Sequence, residues 1–288
     1  RRCAVRQTVL LPPAALIAAP AVAAELNELW TLGGFSMPES AIYLPGDDVI
    51  VVSNIGTFGP DAGADGYLSR ISAEGELLAE RWVENLTDPK GMAAQGGKLY
   101  VADAGGVQVI DLDSGAHDGT IALADARFPN DITVGPRDAL FVTDMFGGTI
   151  WRLSDGAAEK VDGIGPLPLP NGILGVGDTL VVGSFGEEMN PDFSVTEKGG
   201  LRRVDLNAGT GEPRPRTHRV ASVDGIVEFD GWLVYDDNPD GRVYAWKDGT
   251  NTLVGDVGPG AGDLGAMDDV LIVPNLNSGT VTAFRLEM

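Results

Sequence analysis

Short apolar runs rich in β-branched residues recur along the chain between clusters of Gly, Pro, Asp and Asn. Six of them align: DVIVVSN, KLYVADA, ALFVTDM, TLVVGSF, WLVYDDN and VLIVPNL. No stretch sustains the helical period of apolar positions, so the pattern predicts short strands joined by turns. Each run follows an earlier strand and a tight Gly/Asp turn. Each then leads through Gly into a further strand: GYLSRIS, GVQVID, GTIWRL, GGLRRVDL, GRVYAWK and GTVTAFRL.

The regularity extends to the residues just ahead of the first strand of each unit. These pivots are Glu39, Lys90, Asn130, Asn171, Asp224 and Asp263, separated by 51, 40, 41, 53 and 39 residues. Such periods, with about four strands per unit, predict an all-β, six-bladed β-propeller with four-stranded antiparallel blades. The two long spacings fall where the loops Gly56–Gly66 and Gly186–Gly200 are inserted. The sixth unit runs out of chain after three strands, and Asn27–Leu32 is expected to supply its fourth. Closing the ring with an N-terminal strand removes an exposed sheet edge.

In a meander, the start of strand one and the end of strand two lie at the same end of a blade. All six pivots are therefore expected at one mouth of the central channel. Both long loops join strand two to strand three, so they are expected to rise from that same face, where binding groups usually sit.

The first residues read differently from the rest. Arg1, Arg2 and Arg6 precede an apolar stretch and then Ala21-Val22-Ala23, the order of a secretory signal peptide. We read residues 1–23 as that leader and 24–288 as one propeller domain, which predicts a periplasmic or secreted protein. The apolar stretch is short and broken by Pro12 and Pro13, so no stable membrane insertion is expected after its removal. The only cysteine, Cys3, lies in the leader and far from the cleavage site, so stability must come from packing or bound metal. Lys and Arg number 20 against 42 Asp and Glu, a formal charge of −22, and three of those 20 belong to the leader. An acidic surface of this size repels nucleic acid and anionic membranes. A small-molecule substrate is the expected partner; the oligomeric state is not read from the sequence.

Five of the six pivots offer oxygen acceptors. Carboxylates crowded in a partly buried mouth repel unless they are protonated or bridged by a cation. A hard divalent ion with oxygen ligands resolves the repulsion. The bland alternative is that Asn171-Gly172 and Asp224-Gly225 are ordinary turn dipeptides. Turn chemistry does not, however, call for Glu or Lys at the same register. The two histidines, His117 and His218, precede no first strand and are expected at the surface.

The segments PESAIY, RFPND, PNGI and VDGI, taken in order and spacing, resemble the senescence-marker-protein/gluconolactonase family, which also includes luciferin-regenerating-enzyme-like proteins. The similarity spans roughly Met37 to Leu286. It implies one divalent cation held by Glu39, Asn171 and Asp224, with Asn130 nearby on water or substrate. Calcium is the first expectation, and magnesium, manganese or zinc the alternatives. The family's sugar-binding arginine stands two residues before the first asparagine, whereas Arg127 stands three before Asn130. Lys90 is also unusual for a sugar lactonase. Lys90 and Asp263 resemble instead an exported bacterial branch of the family.

The resemblance implies a metal-dependent hydrolase of a lactone or related ester. The metal would polarise the carbonyl, Asp224 would activate water, and Asn130, Lys90, Arg127 and Asp263 would contact substrate. The alternative is a non-catalytic propeller that binds a small ligand or partner protein around a structural metal. In either reading Met145, Phe146, Phe185 and Met189 could line an apolar rim, or could simply pack between blades. A strictosidine-synthase-like propeller shares the architecture but uses a catalytic glutamate, not this set of carboxylates and amides.

Overall fold

The computed structural model describes residues 24–59, 63–154 and 156–288, so the proposed leader lies outside the described residues. The described strands form six four-stranded antiparallel sheets, and the architecture is a six-bladed β-propeller. The first strands of blades one to six are Pro38–Leu44, Met92–Gln95, Pro129–Val134, Pro170–Val176, Ile226–Phe229 and Gly265–Met267. Blade six is completed by Glu25–Gly33, which pairs antiparallel with Thr280–Glu287 and closes the ring. No helix among the described residues is long and apolar enough to cross a membrane.

The continuous apolar runs of the second strands have a simple cause. Each second strand is buried on both faces, because each blade packs against two neighbours. In blade one, Val51 packs toward blade two with Leu99 and Val101, while Ile50 and Val52 pack toward blade six with Ile272. In blade three, Phe141 faces blade four, and Leu140 and Val142 face blade two. Among the described residues the core is accordingly six apolar clusters, one for each interface between blades.

The two inserted loops leave from the ends of second strands, as the meander geometry requires. The first is braced by Thr57, whose amide and hydroxyl both donate to Asp65. The second is drawn into a narrow ribbon by a bridge between Met189 and Val195 and by hydrogen bonds between Asn190 and Ser194. The loops meet: the rings of Phe58 and Phe193 stand edge to face, with centroids 5.5 Å apart.

Candidate active site

Three local devices aim the pivots into the channel. The first is a bulge. Pro38, Pro129 and Pro170 each open a first strand, where a missing N–H is tolerated. Immediately after each proline the first strand carries one residue more than its partner. A bulge leaves that residue out of the ladder and turns its side chain. Glu39, Asn130 and Asn171 occupy those bulges.

The second device is a buried acid at the end of the second strand. Asp103 accepts from the amides of Thr87 and Asp88, Asp144 from those of Arg127 and Phe128, and Asp237 from that of Ser222. These bonds hold the chain two or three residues ahead of a pivot, fixing the entry of Lys90, Asn130 and Asp224. The third device is the absence of a side chain. A Cβ on Gly172 would lie 2.3 Å from the carbonyl oxygen of Asp224, and one on Gly225 would lie 2.1 Å from the amide of Leu264. Neither glycine has a positive φ. The Asn-Gly and Asp-Gly pairs are therefore not turns; they let one blade approach the next at the axis.

Five pivots, Glu39, Lys90, Asn130, Asn171 and Asp224, line one cavity of about 170 Å³ at the mouth of the channel. All five are buried. Two other expected contacts are placed elsewhere. Asp263 is absent from the lining; it faces the cavity further along the channel, beside Asp131, and its carboxylate accepts a 2.6 Å bond from the Ser40 hydroxyl. Its amide is held by the carbonyl of Glu39, which fixes the inward turn. Arg127 is likewise off the cavity, and its guanidinium donates to the carbonyl of Phe146 at 2.8 Å. The rim residues Met145, Phe146, Phe185 and Met189 all line the cavity. His117 and His218 are exposed and apart from it.

Asn238 belongs to the site although sequence reasoning passed over it. Its side-chain amide donates to Asp224 Oδ2 and to the carbonyl of Ala261, both at 2.7 Å, and so orients the carboxylate. The usable signal was its position at the end of a second strand, the other half of the mouth. Asp131 was also passed over. It accepts from its neighbour Ile132 and, across the blade boundary, from Ile173, each at 2.6 Å. Asp236 supports the floor from behind by accepting from the amides of Asp224 and Gly225.

Burial dominates the electrostatics. It pushes Asp224 up to about 7, against the opposing hydrogen bonds from Asn238 and Asn171 and the charge of Lys90. Asp131 rises to about 7 for the same reason. Glu39 is raised well above the usual carboxylate range, first by burial and then by Asp224, with Lys90 opposing. The Lys90 ammonium is itself tied to Asp88, through an ion pair with the carboxylate and a 3.1 Å bond to the carbonyl, and lies 4.4 Å from the Phe128 ring centroid.

The donor set fits a hard divalent cation. Glu39 Oε2 and Asn171 Oδ1 are buried without a hydrogen-bond partner, and both residues face the cavity that Asp224 also lines. Orphaned oxygens of this kind are costly and call for an explanation, an ion among them. No group of three or more His, Cys, Asp or Glu side chains that could hold a metal occurs among the described residues. The set here has only two acids, completed by an amide oxygen, a combination that hard ions accept.

No family model matches the sequence, and no curated protein matches it. Solved structures do match in fold. A gluconolactonase of Xanthomonas campestris is 16% identical with a TM-score of 0.62, over 96% of this chain and 99% of its own. A candidate gluconolactonase is 18% identical with a TM-score of 0.63, over 93% of each chain. A catalytically inactive histidine-to-alanine variant of virginiamycin B lyase from Staphylococcus aureus, with quinupristin, is 14% identical with a TM-score of 0.59, over 92% of this chain and all of its own. The structural neighbours of this propeller thus include gluconolactonases, the family its sequence resembles, at an identity that speaks to fold alone.

Proposed function

We propose that the protein is a divalent-cation-dependent hydrolase of a lactone or related ester. The observation that carries this reading is the pair of orphaned oxygens, Glu39 Oε2 and Asn171 Oδ1, on the same cavity as Asp224. Glu39, Asn171 and Asp224 would hold the cation, which when bound supplies Lewis-acid polarisation of a carbonyl. Two acids and an amide leave room around such an ion for water and substrate.

The remaining roles belong to the chain. Asp224 takes a proton from the attacking water; Asn238 engages its Oδ2 and presets the carboxylate. Water adds to the carbonyl carbon, the ring C–O bond breaks, and the proton returns to the departing alkoxide, giving a hydroxy acid. Lys90, held on the floor of the cavity by Asp88, places positive charge near the oxygen that becomes negative. Asn130 is positioned to hydrogen-bond water or substrate.

A lyase reading based on the virginiamycin B lyase fold is less well supported. That enzyme is inactivated by loss of a histidine, and both histidines of this chain lie away from the cavity. The proposal is tested with a panel of lactones and aryl esters assayed with calcium, manganese or zinc. Turnover abolished by a chelator and restored by metal is the expected result. Absence of turnover together with cation-dependent thermal stabilisation would overturn the hydrolase and favour the ligand-binding reading.

A further inference from the structure

The floor of the cavity is polar, but its walls are not. Of the sixteen described residues lining it, ten are apolar, and the six polar ones are the five pivots and Asn238. Phe128 and Phe146 lie against each other with centroids 4.7 Å apart. Phe185 and Met145 are buried beside them. Above, Phe58 and Phe193 reach across from separate loops and touch, although they are 38% and 49% exposed. On a chain carrying 42 acidic residues, an exposed aromatic pair over a cavity calls for an occupant.

We propose that the site takes a small monocyclic lactone or ester bearing an apolar substituent, and not a polyhydroxylated sugar lactone. The inference rests on the hydrolase reading for the reacting carbonyl at the floor, and on the lining alone for the body of the molecule. Hydroxyls projecting from a sugar ring would leave water for aromatic and thioether walls that offer no donor or acceptor in return. Arg127, one residue ahead of the position where the resemblance implies a sugar contact, is absent from the lining and spends its guanidinium on the Phe146 carbonyl. Size points the same way. An apolar cavity of roughly 150 Å³ admits a benzene-sized guest, so about 170 Å³ holds one ring and a few carbons. A longer substituent would lie along Phe58 and Phe193, the exposed part of the lining.

The test uses γ-lactones of increasing alkyl chain length beside glucono-δ-lactone, on the metal-loaded full chain, read as kcat/KM and, separately, as Kd by calorimetry. Each added methylene should improve the constant about fourfold until the cavity is full. F193S and F58S change exposed positions, so the fold should survive, which a thermal unfolding curve checks. Both variants should weaken the longer alkyl lactones at least tenfold, and by a larger factor than they weaken glucono-δ-lactone. Preference for glucono-δ-lactone, or constants independent of chain length, would overturn the inference. Chain-length-dependent binding without hydrolysis would sustain the ligand class and overturn the hydrolase.

Discussion

Asp224 concentrates the chemistry at the residue scale, because burial pushes its carboxyl up to about 7 while Asn238 fixes its orientation. Asp224→Asn should lower turnover by about 10²–10⁴-fold, the usual worth of a positioned general base. The same variant removes a buried carboxylate, so the metal-free protein should melt no lower than wild type at pH 8. A large fall in melting temperature would instead mark Asp224 as structural. Asn238→Ala should lower kcat with little change in KM, since it acts on the carboxylate and leaves the walls untouched. Arg127→Ala should leave KM unchanged; a large rise would show that its guanidinium reaches substrate. Five expected residues, Glu39, Lys90, Asn130, Asn171 and Asp224, line one cavity because register was readable from spacing. Asp263 and Arg127 lie off that cavity for reasons spacing does not carry. Ser40 captures the Asp263 carboxylate, and the Phe146 carbonyl captures Arg127.

At the scale of elements, the blade repeat was legible because each second strand is buried on both faces and must read as an apolar run. The terminal strand was legible because blade six otherwise lacked a partner; it proved longer than Asn27–Leu32, running Glu25–Gly33. The bulges were not legible, since Pro-Glu and Pro-Asn look alike in a bulge and in a turn. Nor was the true role of the glycines, which depends on a neighbouring blade distant in sequence. Gly172→Ala tests that role directly. Its Cβ would meet the Asp224 carbonyl oxygen at 2.3 Å, so backbone must move. Overpacking of this kind costs about 1–3 kcal/mol, and here the displacement falls on a pivot. We expect a lower unfolding midpoint together with weaker cation binding. A variant as stable as wild type would mean that the blades are not in contact there.

Across the whole molecule, the channel gathers carboxylates whose ionisation burial disfavours: Glu39, Asp131, Asp224 and Asp263 all lie above their ordinary range. A folded state with raised acid pKa values binds more protons than the unfolded chain between the two sets of values, so stability falls as pH rises through that window. The metal-free protein should therefore be more stable near pH 5 than near pH 8, and a saturating cation should largely remove the difference. A metal-free stability that rises with pH would show that these groups are already compensated. The account as a whole depends on Glu39, Asn171 and Asp224 acting on one ion. Calorimetric titration of the chelator-treated protein with calcium, and then with manganese, measures this most directly. One ion per chain is predicted, with affinity reduced at least 100-fold in each of E39Q, N171A and D224N while the folded baseline is retained. No binding by wild type, or equal binding by the three variants, would contradict it.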